Sequence, residues 1–302
     1  MYTINDLLDL SKTIAAPLFE GKTYPWEVLA DISDYIIALG STLPEEEYEK
    51  RGENVWIARN AEVFPSAYIG APCIIDHGAQ VRHCAFIRGS AIVGKNAVVG
   101  NSTELKNVVL FDSVQTPHYN YVGDSILGYK AHMGAGSITS NVKSDKTLVV
   151  IKNGDELIET GRKKVGAILG DCVEIGCNSV LNPGTVLGRR ASVYPTSCVR
   201  GVVPEDGSEF EVELPGLNVR VTEIKDHRIS KMTVTKLAPP VSEEEEEENE
   251  HEMKFPWDSK DKDKDSDEDS KDAKDSKDSK EAKSKEAKET KTSKESKETS
   301  KK

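Results

Sequence analysis

Residues 57–105 read IARNAE VFPSAY IGAPCI IDHGAQ VRHCAF IRGSAI VGKNAV VGNSTE L, and each group of six is headed by a branched apolar residue: Ile57, Val63, Ile69, Ile75, Val81, Ile87, Val93, Val99 and then Leu105. The fifth residue of nearly every group is small (Ala61, Ala67, Ala79, Ala85, Ala91, Ala97, Thr103), and the second is often Gly. A six-residue side needs one inward apolar side chain and one small residue at its corner. Three such sides close a coil of about 18 residues, so the array predicts a parallel β-helix and a mainly β protein. The period returns at Leu127, Met133 and Thr139, and again at Leu169, Ile175, Leu181, Leu187, Val193 and Val199.

Two stretches interrupt the array. Residues 110–126 (LFDSVQTPHYNYVGDSI) keep no clean register of six, and residues 143–164 (KSDKTLVVIKNGDELIETGRKK) form an insertion. Within the insertion, Asn153-Gly154 between apolar runs predicts a hairpin with a type I′ turn. Interruptions of a regular solenoid are where a site is usually built. Upstream, residues 3–19 and 26–40 have apolar spacing near 3.6, with Thr3 and Asn5 as available caps, Pro25 at an entrance and Gly40 as a stop, and predict two short helices. The domain plan is a helical segment over 1–50, the β-helix over 51–204, a capping segment of strands and a short helix over 205–240, and a tail over 241–302.

The tail holds 23 acidic and 16 basic side chains, leaving 29 acidic and 24 basic in residues 1–240, a net charge of −5 out of −12 for the chain. After Trp257 it has no Leu, Ile, Val, Met, Phe, Tyr or Trp. Such a segment cannot bury enough apolar surface to offset the entropy of ordering, which predicts disorder. Neither part has a basic excess, which argues against nucleic-acid binding by net charge. No 18-residue apolar span and no cationic signal-peptide start is present, so neither a membrane span nor secretion is expected, and the location expected is cytoplasmic. The five cysteines are odd in number and contain no CxxC pair, which points to reduced thiols rather than disulfides or a zinc knuckle.

Arg88 and Lys106 each hold the second place of a group of six and are one coil apart. Stacked rungs lie about 4.8 Å apart, so the two cations form a column that repels itself unless an anion lies between them or both side chains are solvated. A phosphate-bearing substrate would be that anion. His118 lies in the irregular stretch, and a neutral imidazole is the side chain best suited to take a proton near pH 7. A structural histidine is the plainer use, and His77, His83 and His132 read as rung decoration. No His-x4-His pair occurs, so no metal site is expected.

The segments RGSAIVGKNAVVGNSTELKN, TPHYNYVGDSILG, HMGAGSITSN and GRKKVGAILGDCVEIG resemble the C-terminal acetyltransferase domain of bifunctional sugar-1-phosphate nucleotidylyltransferase/acetyltransferases of the glucosamine-1-phosphate acetyltransferase type. The resemblance covers residues 57–204, and the hairpin insertion favours the archaeal form. It implies a left-handed β-helix, a homotrimer and acetyl-CoA as acetyl donor. By position it makes His118 the general base and Asn141 the asparagine beside the amine. Arg88, Lys106 and Tyr121 become ligands of the sugar phosphate, with Lys146 one position from a lysine that archaeal relatives use. It places Cys177, Tyr194, Pro195, Arg189 and Arg190 along an acetyl-CoA groove between subunits.

No stretch of these residues resembles the nucleotidylyltransferase domain, so that second activity is not expected, and the pattern also differs in His132 where the bacterial enzymes have Asn and in Val142 where they have Tyr. The expected activity is N-acetylation of a hexosamine-1-phosphate for amino-sugar nucleotide precursor synthesis. The rival readings are a catalytically silent β-helix that binds a nucleotide sugar or assembles with a separate nucleotidylyltransferase, and a metal-dependent hydratase on the same scaffold.

Overall fold

Short parallel strands stack along three faces of a prism. The computed structural model describes residues 1–205, 210–214, 217–225 and 228–236; the tail expected to be disordered lies outside these residues. The coil is a left-handed parallel β-helix of about eight turns. Face 1 is built from Val55–Ala58, Cys73–Ile75, Ala91–Val93, the second halves of Glu104–Leu110 and Tyr121–Leu127, then Ala167–Leu169, Thr185–Leu187 and Val202–Val203. Face 2 takes Tyr68–Ile69, Phe86–Ile87, the first halves of Glu104–Leu110 and Tyr121–Leu127, Ile138–Thr139, Val180–Leu181 and Cys198–Val199. Face 3 runs from Glu62–Val63 through Gln80–Val81, Val98–Asn101, Gln115–His118, His132–Met133 and Glu174–Ile175 to Ser192–Val193.

The register explains why residues 110–126 look irregular. Leu105 pairs with Ile87 and Val122, Leu110 pairs with Val93 and Leu127, and Thr116 pairs with Val99. The ladder therefore continues without a break, with Leu110, Thr116 and Val122 as its inward residues. Two sides, Leu105 to Leu110 and Val122 to Leu127, are one residue short, so two coils close in 17 residues rather than 18. At each short side the strand runs continuously around the edge between faces 2 and 1. Asn107 (φ 55°) and Asp124 (φ 48°) take the left-handed conformation there, which Asn and Asp tolerate better than other side chains with a Cβ.

Inward residues such as Ile75, Val81, Ile87, Val93, Val99, Leu105, Leu110, Val122, Leu127, Leu169, Leu181 and Leu187 are fully buried. The outward row of face 1 is buried as well. In-register pairing lines up Trp56, Ile74, Ile92, Val109, Ile126, Ile168 and Val186 on one surface, all 6% exposed or less. What covers it is the chain's own N-terminus, laid antiparallel to the direction of coil growth. The hydroxyl of Tyr2 accepts from the Glu205 amide near the end of the coil, and the Asp171 amide donates to Leu7 O. The Asp112 amide donates to Lys12 O, Phe19 meets Phe111 edge-on at 5.8 Å, and Gly40 lies against the Trp56 ring. A Cβ at Gly40 would overlap that ring. Tyr48–Lys50 then pairs antiparallel with Val55–Ala58 on the first coil.

This role alters the expected helices. Residues 3–19 hold a single helical turn, Ile4–Leu7, and two 3-10 turns, Leu10–Lys12 and Ala16–Phe19; residues 26–40 divide into a 3-10 stretch, Pro25–Ala30, and the helix Ile32–Gly40. Leu7 O and Lys12 O accept from the coil, and the Asp9 amide donates to Asp171 Oδ2 at 2.8 Å. Backbone groups that a continuous helix would use internally thus go to the coil.

The insertion is a hairpin, Val150–Asn153 against Glu156–Glu159. Asn153 pairs with Glu156, so the loop is Gly154-Asp155, and only its Gly has positive φ (59°). This shifts the expected turn by one residue and replaces the type I′ form, which needs positive φ at both loop residues. Val149 and Ile151 are buried, and the hairpin backs onto Gly184 and Gly201 at the edge between faces 2 and 1. Phe210–Leu214, Leu217–Lys225 and Arg228–Lys236 form a three-stranded antiparallel sheet, and no helix occurs among the described residues of 205–240.

Candidate active site

The short sides bring a polar cluster to the edge between faces 2 and 1. Lys106 follows Leu105 on one coil, Gly123 and Asp124 follow Val122 on the next, and Asn141 comes from the coil after that. Lys106 Nζ donates to Asp124 Oδ1 and Oδ2 at 2.9 and 3.0 Å, Asn107 Nδ2 to Oδ1 at 3.0 Å, and Asn141 Nδ2 to Oδ2 at 2.6 Å. The Asp124 side chain is 3% exposed, against 28% for Lys106. Asn141 Nδ2 also donates to the Tyr121 hydroxyl at 3.2 Å. Gly123 leaves room for that contact, since a Cβ there would sit 2.5 Å from the Tyr121 hydroxyl and 2.8 Å from Asn141 Nδ2. Partial burial raises the Tyr121 hydroxyl above the ordinary phenol range, so it stays protonated as a donor at neutral pH.

Arg88 and Lys106 do share a column, but each has its own carboxylate. Arg88 Nη1 donates to Glu104 Oε1 at 2.8 Å, and that hydrogen bond raises the guanidinium pKa further. With Lys106 held by Asp124, the column does not depend on an external anion to relieve repulsion. The two pairs differ in kind. Arg88 and Glu104 are 48% and 31% exposed, and an ion pair of that exposure is screened by solvent and contributes little, so an incoming anion can displace it at small cost. Lys106 is anchored to a buried carboxylate.

His118 stands at the other border of face 2, on the edge with face 3. Its side chain is exposed, and its ring has no hydrogen-bond partner among the described residues. The backbone there is fixed from beneath by the buried Asn120, whose Oδ1 accepts from the His118 amide at 3.2 Å and whose Nδ2 donates to Gly134 O at 2.8 Å and Ser137 O at 3.1 Å. Three residues of chain span at most about 10 Å, so His118 and Tyr121 border one narrow strip of face 2. Asn120, Asp124 and Gly123 escape a reading of the sequence alone; the usable signal was the unbroken string YNYVGD beside the histidine.

The other expected residues divide. Cys177 and Pro195 continue the edge on which His118 stands: the Thr196 amide bonds to Cys177 O, and a Cβ on Gly176 would meet Tyr194 and Pro195. Cys177, Tyr194 and Pro195 are all exposed. Arg189 and Arg190 lie instead on the edge between faces 1 and 3. Arg189 donates to Asn5 O at 3.1 Å and lies 3.5 Å from Asp171, and Arg190 lies 3.9 Å from Glu205. Lys146 is exposed, with φ 58°, in the turn before the hairpin. His132 faces out from face 3, paired with Glu174 at 2.8 Å, and Val142 is 40% exposed just after Asn141. All five cysteines are free; burial pushes the Cys73 thiol up to about 12. No helix among the described residues is long and apolar enough to cross a membrane.

Residues 69–204 match the family described as the GMPPB C-terminal domain. The chain is 35% identical over 98 residues to the bifunctional sugar-1-phosphate nucleotidylyltransferase/acetyltransferase of Sulfurisphaera tokodaii, covering 32% of this chain and 24% of that protein. It is 36% identical over 93 residues to the bifunctional protein GlmU of Methanococcus maripaludis, covering 31% of this chain and 22% of that protein. The chain therefore spans about a quarter of the length of these curated relatives. Among solved structures, the acetyltransferase domain of PglB from Neisseria gonorrhoeae is similar at 17% identity, over 59% of this chain and 63% of that one, with a TM-score of 0.30. The likeness to sugar-1-phosphate nucleotidylyltransferase/acetyltransferases read from the motifs is thus borne out over about a third of the chain.

Proposed function

We propose that this protein is an acetyl-CoA-dependent N-acetyltransferase whose acceptor is a phosphorylated amino sugar of the hexosamine-1-phosphate kind. The observation that carries the reading is the strip of face 2 bordered by a free imidazole on one side and by the Lys106, Tyr121 and Asn141 cluster on the other. The similarity to a bifunctional sugar-1-phosphate nucleotidylyltransferase/acetyltransferase, which pairs sugar-1-phosphate chemistry with acetyl transfer, supports the same class.

In this reading His118 accepts a proton from the substrate amine as nitrogen attacks the thioester carbonyl. The tetrahedral intermediate collapses to the amide, and the CoA thiolate leaves and takes up a proton, which the imidazolium can return. Lys106 and the Tyr121 hydroxyl hold the phosphate, with Arg88 released from Glu104 to join them. Cys177, Tyr194 and Pro195, exposed along the edge that His118 occupies, line the path of acetyl-CoA. Face 1 is already covered, so a homotrimer would form through the other two faces, where Tyr68 and Phe86 stand 61% and 42% exposed with ring centroids 5.5 Å apart.

The neutral charge balance at Arg88–Glu104 and Lys106–Asp124 favours one rival, a silent β-helix that assembles with a nucleotidylyltransferase. A screen of acetyl-CoA consumption against amino sugars with and without phosphate separates the two. Turnover confined to a phosphorylated amino sugar is expected. No turnover with any of them, from protein that sediments as a folded oligomer, would favour the silent reading.

A further inference from the structure

We propose that Asp124 is the positioning residue of this site: it turns the Asn141 amide so that the carbonyl oxygen is what a substrate N–H or O–H meets, and it holds the Lys106 ammonium at the same edge. The proposal deepens the acetyltransferase reading and rests on it for its kinetic arm. Four donor contacts converge on Asp124, two from Lys106 and one each from Asn107 and Asn141, and a carboxylate can only accept. The Asn141 nitrogen must therefore face Asp124. Its two hydrogens are taken by Asp124 and by the Tyr121 hydroxyl, and its Oδ1 has no partner among the described residues. Because the Tyr121 oxygen accepts from Asn141, its own proton is free to donate outward.

The edge thus offers one fixed acceptor, Asn141 Oδ1, beside two fixed donors, Tyr121 and Lys106. This pattern suits a substrate that carries an amine or hydroxyl next to an anionic or oxygen-rich group. The same hub reaches the N-terminal segment, since Asn107 Nδ2 shares its hydrogens between Asp124 Oδ1 and Leu29 O, each at 3.0 Å. An Asn at position 124 has one acceptor oxygen and could not serve Lys106, Asn107 and Asn141 together.

The test uses the full chain with Asp124→Asn, Asn141→Ala and the double variant. Hydrogen bonds to charged groups set the expected loss in kcat/KM for the phosphorylated amino sugar at about 10- to 100-fold for Asp124→Asn, with the KM for acetyl-CoA changed less than about twofold. If Asp124 acts through Asn141, the double variant falls no lower than the worse single variant within about threefold, whereas a merely structural role gives multiplied losses. Labelling of Lys106 by acetic anhydride, followed by mass spectrometry, needs no activity and should proceed at least about fivefold faster in Asp124→Asn, because the amine loses its carboxylate. Multiplied kinetic losses or unchanged Lys106 labelling would overturn the proposal. A wild-type chain with no turnover sinks the acetyltransferase reading alone and leaves the labelling to decide on Asp124. Should Asp124→Asn not accumulate as folded protein, Asn107→Ala removes one donor that fixes the Asp124 carboxylate and should lower kcat/KM for the phosphorylated amino sugar about three- to tenfold with the KM for acetyl-CoA little changed, an unchanged kcat/KM being the overturning result.

Discussion

Faces 1 and 2 share one backbone, one period and one inward row of apolar side chains, and they differ in what points outward. On face 1 the outward row from Trp56 to Val186 is almost entirely branched or aromatic and is sealed by residues 1–50. On face 2 the outward row runs Tyr68, Phe86, Glu104, Tyr121, Ile138, Val180 and Cys198 and stays largely open. A coil held together by its inward residues can spend one outward face on stability and leave another for chemistry. The Lys106 cluster sits on the edge where the two meet, and Asn107 touches both sides of it.

The largest effect should come from the open side. His118→Ala should lower kcat by about 10²–10⁴-fold with little change in melting temperature, because removing a general base removes proton transfer and an exposed ring contributes little packing. Near-normal kcat in steady-state assays would break the division of labour between the faces. The sealed side should give the converse result. Phe19→Ala removes a ring that is 3% exposed and packed on Phe111, and it should cost about 3–5 kcal/mol in denaturant unfolding. A loss below about 1 kcal/mol would mean that the N-terminal segment contributes little to covering face 1.

At the shared edge the two effects should mix. Lys106→Ala should lower kcat/KM for the phosphorylated amino sugar by about 10- to 150-fold, do much less to the KM for acetyl-CoA, and also destabilise the fold by leaving Asp124 buried without its cation. Equal kinetic effects on phosphorylated and unphosphorylated acceptors would remove phosphate recognition from this edge.

The smallest expected effect concerns pH. Burial raises the Asp171 carboxyl above its ordinary range, although the Tyr129 and Asp9 amides at 2.8 Å oppose that shift. A carboxyl raised in the folded state adds stability that is fully present below its unfolded value and lost as pH rises through the folded value. As pH rises above the ordinary carboxylate range the melting temperature of the wild type should therefore fall slightly relative to the trend of Asp171→Asn. Parallel curves in a thermal melt series would show that Asp171 is not strained by ionisation.

Much of this could be read before any fold was in view. The heads of six from Ile57 to Leu105 become the inward column, and the small fifth residues become its corners, because covalent spacing alone decides which side chains recur on a turning chain. Asn153 and Gly154 announced a hairpin, and TPHYNYVGD marked the place where His118 and Tyr121 come together. Other features depend on what lies one coil away. The two five-residue sides broke the visible period at 110–126 while leaving the ladder whole, since a strand can run around an edge when an Asn or Asp takes positive φ. Lys106 found Asp124, and Arg88 found Glu104, through stacking across 18 and 16 positions of sequence. The helical spacing of residues 3–19 gave way because their backbone groups bond to the coil instead. Period and motif are properties of neighbours along the chain, and they were legible; the partner of each charge and the fate of each backbone donor are properties of neighbours in space, and only the stacked coil decided them.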